Sequence, residues 1–292
     1  MLSLLDRLHK GETILADGAL GTMLFPGGAL ESLCVEKINI MHPKHLEIIA
    51  NDYLDAGAEI IQTNTFGATP VRLEQFNLSQ HTKEINQNGV QTVRNVIKEK
   101  AYLSFTCGPT GISLDENKDE NLKKIIENYH IQFESVKSEQ IDLISIETMM
   151  FFEEAVVAYR AAREIFESTP ISISLLFRKK NEIYQTYDNF LIDDVINKLQ
   201  NLNVDIIGSN CGNSSKSMID LAKTLCNSSE LPVNIRPSAG IPKKIDNLLV
   251  YPENKKLFCS SIKEMINSGV QIVGGCCGTT PDYISLLKSS IL

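Results

Sequence analysis

Val270-Gln271-Ile272-Val273-Gly274-Gly275-Cys276-Cys277-Gly278-Thr279-Thr280-Pro281 reads as a short apolar strand, a glycine-rich bend carrying two adjacent thiols, and a helix that begins near Pro281. The glycines leave little bulk around either sulfur and permit backbone angles that turn both towards one point. Val204-Asp205-Ile206-Ile207-Gly208-Ser209-Asn210-Cys211-Gly212 repeats the plan, an apolar run that ends in Cys-Gly. The same unit of apolar run, polar ending and helical pattern recurs along the whole chain.

The other apolar runs are Thr13–Ala16, Ala58–Gln62, Ala101–Thr106, Ile141–Ile146, Pro170–Phe177 and Pro232–Ile235. Apolar residues at helical spacing predict helices over Pro43–Ala56, about Thr82–Lys100, Asp119–Glu139, Phe151–Phe166, Leu191–Gln200, Ser217–Leu225 and around Phe258–Asn267. Eight such units with right-handed crossovers predict an α/β fold, a single (β/α)8 barrel (TIM barrel) over residues 1–292. No Pro/Gly/Ser-rich linker divides the chain. No Gly-x-Gly-x-x-Gly follows a strand, which argues against a doubly wound open sheet. The polar motifs close the strands, where barrels place their active sites.

The balance of residues narrows the function. Hydrophobic residues make up 43% and charged residues 22%, as in ordinary globular domains. A net charge of -8 without a Lys/Arg cluster argues against nucleic acid and against an anionic membrane surface. The stretch Met1–Arg7 lacks the apolar core of a signal peptide and no segment is long enough to span a bilayer, so a cytoplasmic protein is expected. Seven cysteines in such a chain favour metal or catalytic use over a disulfide framework.

Cys211, Cys276 and Cys277, at the ends of two strands, provide the soft ligands of a catalytic zinc site whose fourth position is left for substrate. The alternatives are a vicinal Cys276–Cys277 disulfide, which needs an oxidising setting, and a structural zinc, which needs a fourth protein ligand; none of the five histidines lies at a strand end. Cys34, Cys107, Cys226 and Cys259 read as packing residues. Asp17 and Glu147 end strands at the same mouth and are expected to orient a charged substrate such as an ammonium group, the alternative being helix capping. Asn64 and Thr65 are candidate substrate contacts or turn formers.

The ordered set Asp17-Gly18-Ala19-Leu20-Gly21-Thr22, Thr63-Asn64-Thr65-Phe66-Gly67, Gly108-Pro109-Thr110-Gly111, Glu147-Thr148, Asn210-Cys211 and Gly274–Pro281 resembles the homocysteine S-methyltransferase family over essentially the whole chain. The likeness is greatest to the homocysteine-binding barrel of the cobalamin-dependent methionine synthases. The resemblance implies an enzyme of methionine biosynthesis that methylates homocysteine, with one zinc per chain held by Cys211, Cys276 and Cys277. It also implies that Asp17 and Glu147 hold the amino-acid part of homocysteine, with Gly18, Ala19, Gly21 and Thr22 close by. One departure is Pro237-Ser238-Ala239-Gly240, where the synthases usually carry Pro-Asn-Ala-Gly, so Ser238 alters one wall of the expected substrate site.

A thiol is mostly protonated at neutral pH, its thiolate is the nucleophile, and zinc removes the proton. Three thiolate ligands leave the metal unit negative and the bound sulfur electron-rich. The chain ends soon after the cysteine pair and has no His-x-x-Gly sequence, so cobalamin is not expected to be bound by this chain itself. The expected donor is a methyl-corrinoid protein supplied in trans. The alternatives are S-methylmethionine as donor, another thiol as acceptor, and a zinc barrel that binds without turnover.

Overall fold

The computed structural model describes residues 2–25, 33–114, 117–246 and 248–291. Eight parallel strands form the central sheet: β1 (Ile14–Leu15), β2 (Ile60–Gln62), β3 (Tyr102–Cys107), β4 (Leu143–Met149), β5 (Ile171–Leu175), β6 (Ile206–Ser214), β7 (Val233–Ser238) and β8 (Ile272–Val273). Each pairs with its neighbours in chain order, β8 returns to β1, and the parallel bridge of Ala16 to Ile60 closes the ring. Helices follow the strands in turn: α1 (Pro43–Asp55), α2 (Thr82–Ile97), α3 (Lys118–Glu134), α4 (Phe152–Ile165), α5 (Ile192–Asn201), α6 (Ile219–Ser228), α7 (Lys255–Asn267) and α8 (Pro281–Ile291). The fold is the (β/α)8 barrel that the strand-helix rhythm predicts.

Alternate residues of each strand serve two cores, which is why the strands read as unbroken apolar runs. Leu103, Phe105 and Cys107 of β3 join the large cluster under the helices, whereas Tyr102 faces the barrel axis with Ile14, Ile60, Leu143, Ile206 and Ile272. That axial layer is plugged from below by Leu4 and Leu8 of a short helix, Leu4–His9, whose N-cap Ser3 accepts a hydrogen bond from the Asp6 N–H. Going up the axis, the interior turns polar at Gln62, Ser145, Asn234, Glu147 and Arg236, all buried. The barrel therefore has an apolar floor and a charged mouth.

Three features depart from the apolar pattern for local reasons. The α3 pattern extends to Glu139, but the helix stops at Glu134, where the Ser135 hydroxyl donates to the Gln132 carbonyl. Strands β4 and β6 continue through Glu147-Thr148 and Asn210-Cys211, because register shifts after Ile146 and Asn210 let the polar ends stay paired. Finally, Arg178–Lys180 pairs with Ile183–Gln185 and Lys243–Ile245 with Leu248–Val250, forming two hairpins in the connections after β5 and β7. Among the described residues no helix is long and apolar enough to cross a membrane.

Gly208 of β6 shows how tightly the ring is closed. Asn234 reaches from β7 towards β5, where its Nδ2 donates to Ser172 Oγ at 3.3 Å, and β6 lies between them. A Cβ at Gly208 would stand 2.1 Å from the Asn234 carbonyl oxygen, a backbone atom that cannot step aside. Gly208→Ala is expected to cost about 3 kcal/mol, the upper part of the range for overpacked cores. Urea unfolding measures this, and an unchanged midpoint would show that β6 and β7 separate freely.

Candidate metal centre

The β6 chain leaves regular geometry at Cys211, which adopts φ 61° and is followed by Gly212 at φ 69°. A non-glycine residue in the left-handed region costs about 1–2 kcal/mol. Here the bend carries the sulfur to the mouth, where Sγ lies 3.7 Å from Cys277 Sγ, and the Cys211, Cys276 and Cys277 sulfurs all fall within 4.8 Å of one another. Sulfurs on adjacent corners of a tetrahedral zinc site with bonds near 2.3 Å stand about 3.8 Å apart, so the donor set and its spacing fit zinc. Among the described residues no histidine, carboxylate or fourth thiol joins the cluster. All seven cysteines are free thiols, so Cys276 and Cys277 are not joined as a vicinal disulfide.

The cluster's surroundings act on its charge. Hydrogen bonds from Cys276 and Cys277, helped by the Gly212 N–H and the Ser238 hydroxyl, push the Cys211 thiol well down, while bonding to Cys211 pushes Cys276 and Cys277 up. Ser238 Oγ lies 3.8 Å from Cys211 Sγ, and Asn210 Nδ2 lies 3.8 Å from Cys276 Sγ. The Cys276 N–H donates to the Pro237 carbonyl and the Ala239 N–H to the Cys277 carbonyl, which fastens the β7 and β8 loops together. Gly278, at φ 82°, lies under the Tyr251 ring, and a Cβ there would meet ring carbon Cγ at 2.2 Å. Burial, then the neighbouring Cys277, raises the Tyr251 hydroxyl.

Asp17 and Glu147 meet beside this cluster, but not as free carboxylates. Arg236 of β7, 4% exposed, lies between them: Nη2 donates to Asp17 Oδ1 at 2.7 Å and Nη1 to Glu147 Oε1 at 3.1 Å. Gln62 of β2 completes the group, accepting from Arg236 Nη2 through Oε1, donating from Nε2 to Glu147 Oε1, and giving its backbone N–H to Asp17 Oδ2 at 2.8 Å. Neither Arg236 nor Gln62 is among the site residues expected from the sequence. The available signal was a polar residue at axial parity in or beside an apolar run.

Burial pushes the Asp17 carboxyl up to about 6, against the pull of Arg236 and the Gln62 N–H. The folded protein thus keeps a proton on Asp17 between about pH 4 and pH 6, where the unfolded chain has lost it. The contribution of this residue to stability is therefore greatest at low pH and is lost as the pH rises through about 6. Between pH 7 and pH 5 the unfolding free energy of the wild type should gain on that of Asp17→Asn. A difference independent of pH would show that Asp17 titrates as it does in the unfolded chain.

The remaining candidate residues divide into two groups. The Gly18–Thr22 segment is laced to the cysteine loop: the Ala19 N–H donates to the Thr279 carbonyl, the Gly278 N–H to Thr22 Oγ1, and Gly18 packs on Thr279 with no room for a Cβ. Gly21 lies in the short helix Leu20–Leu24 that continues this segment. Asn64 and Thr65, by contrast, spend their polar groups within the scaffold. Asn64 Nδ2 donates to the Val35 carbonyl and Asn39 Oδ1, and the Thr65 hydroxyl donates to the Thr106 carbonyl. Likewise Glu154 of α4 ties down the Gly108–Gly111 motif by accepting from the Thr110 N–H and hydroxyl. Thr148, at φ 59°, is clamped by Asn210, whose Oδ1 takes its N–H at 2.8 Å while Nδ2 donates to its hydroxyl. Asn210 thereby couples the Glu147 strand end to the sulfur cluster.

The family model for homocysteine S-methyltransferase matches residues 14–291. The chain is 26% identical to a methionine synthase of Mycobacterium leprae and 27% identical to one of Mycobacterium tuberculosis, in each case over 99% of this chain. It spans about a quarter of the length of these relatives, 25% in both cases. Among solved structures, the metallated form of the homocysteine methyltransferase MmuM from Escherichia coli superposes with a TM-score of 0.80 at 20% identity, over 98% of both chains. That likeness is one of fold.

Proposed function

Because the chain belongs to the homocysteine S-methyltransferase family, we propose that it methylates the sulfur of homocysteine to give methionine at the barrel mouth. The observation that carries this reading is the set of three sulfurs at zinc spacing beside a buried acidic group on one face of the barrel. Cys211, Cys276 and Cys277 would hold the zinc. When bound there, zinc would supply the electrostatic stabilisation that keeps the acceptor sulfur deprotonated at neutral pH.

The chain's own residues do the rest. The three clustered thiols would give up their protons as the metal binds. The Ser238 hydroxyl and the Asn210 amide donate towards cysteine sulfurs and temper their charge. Glu147 supplies a carboxylate for the acceptor's ammonium, and the Gly18–Thr22 segment forms the neighbouring wall. The axial apolar floor beneath keeps bulk water from reaching the site from below. Catalysis then consists of holding sulfur and methyl carbon in line.

The donor in this reading is a methyl-corrinoid protein supplied in trans. A cavity of about 390 Å³ opens beside the Cys211 bend, lined by Gly212, Asn213, Arg178, Lys179, Tyr184 and Tyr187. Lys179 is neutralised by Asp220 and Glu182, whereas Arg178 has no carboxylate partner among the described residues. S-methylmethionine, a small sulfonium, is the other donor. The test is to give zinc-loaded protein and homocysteine each donor separately and to assay methionine. Turnover only with the corrinoid donor supports the assignment, and equal or faster turnover with S-methylmethionine overturns it.

A further inference from the structure

If homocysteine is the acceptor, as proposed above, two carboxylates stand near its ammonium group, and the geometry tells them apart. Asp17 is 1% exposed and both its oxygens are taken, Oδ1 by Arg236 Nη2 at 2.7 Å and Oδ2 by the Gln62 N–H at 2.8 Å. An ammonium could reach Asp17 only by breaking one of these bonds. Glu147 differs. Its Oε1 is shared by Arg236 and Gln62, while Oε2 takes no hydrogen bond among the described residues and is not sealed from solvent.

Charge leads to the same division. Two adjacent buried carboxylates would repel each other or share a proton, and either state is poorly matched to a single ammonium. The Arg236 guanidinium, buried between them, leaves the group with one net negative charge. We propose that Arg236 is a specificity-determining positioning residue: with Gln62 it withdraws Asp17 from acceptor binding and presents Glu147 Oε2 as the carboxylate oxygen that reads the acceptor's ammonium. The planar guanidinium suits this role, because its fork reaches two carboxylates at once, which a lysine ammonium does not reproduce.

The test is calorimetric binding of homocysteine and of 4-mercaptobutanoate, the same thiol acid without the amino group, to zinc-loaded protein. Zinc content and unfolding midpoint establish that each variant is intact. The wild type should prefer homocysteine by about tenfold or more, the size of a charge-assisted hydrogen bond. Glu147→Gln should bring the ratio of affinities close to one. Asp17→Asn should lower the ratio only in part, because Glu147 Oε2 stays available to the ammonium, and Arg236→Lys should shrink the ratio without loss of zinc. Loss of the preference in Asp17→Asn as complete as in Glu147→Gln would overturn the proposal, as would unchanged affinities in Arg236→Lys. Equal binding of the two thiols by the wild type would overturn this inference alone, whereas failure of both to bind would remove the homocysteine reading with it.

Discussion

Cys211→Ser, Cys276→Ser and Cys277→Ser should each reduce zinc from about one ion per chain to a small residue, because a three-ligand site that loses one thiolate retains too few donors. The effect should be nearly all-or-none. The three sulfurs lie within 4.8 Å of one another, and no histidine, carboxylate or further thiol among the described residues is placed to substitute. The fold should persist, because the core under the helices runs from Leu15 to Leu287 without drawing on the three cysteines. Elemental analysis alongside thermal unfolding separates the two effects. Full zinc occupancy in any one variant would remove that cysteine from the site, and collapse of the barrel would make the metal structural.

Arg236→Met should give the largest loss of stability of any single charge removal in the barrel, about 3–5 kcal/mol at neutral pH, as expected when one member of a buried ionic group is deleted. It strands Asp17 and Glu147, 1% and 6% exposed, side by side without their shared cation. Burial already raises Asp17 to about 6 with Arg236 present, so without it a proton should be taken up near neutral pH. Asp17→Asn combined with Arg236→Met should recover much of the loss. Chemical denaturation of the single and double variants measures both effects. A loss in Arg236→Met below about 1 kcal/mol, typical of a surface pair, would show that the group is solvated in the folded state.

The sequence carried the barrel because each strand is buried on two faces and so reads as an apolar run, with Gly57 and Gly269 ending the helices that precede β2 and β8. It also pointed to Cys211, Cys276 and Cys277 together, since motifs that close parallel strands all end at one face. Arg236 and Gln62 were hidden for the complementary reason. Their partners stand on strands that are distant in the ring, and only the closed ring with its axial parity shows that β1, β2, β4 and β7 converge on one group. The helix Leu4–His9 did carry a signal, Ser3 followed three residues later by Asp6, but it is only six residues long. The hairpin after β5 turns through Asn181 and Glu182, both at positive φ, and a glutamate there gives no sequence cue for such a turn.

The acceptor sulfur should join the three cysteine sulfurs at one metal. Zinc K-edge X-ray absorption of the zinc-loaded protein, with and without homocysteine, measures this directly. The expected result is a shell of three sulfurs and one lighter atom that becomes four sulfurs on addition of homocysteine. A first shell unchanged by saturating homocysteine would contradict it.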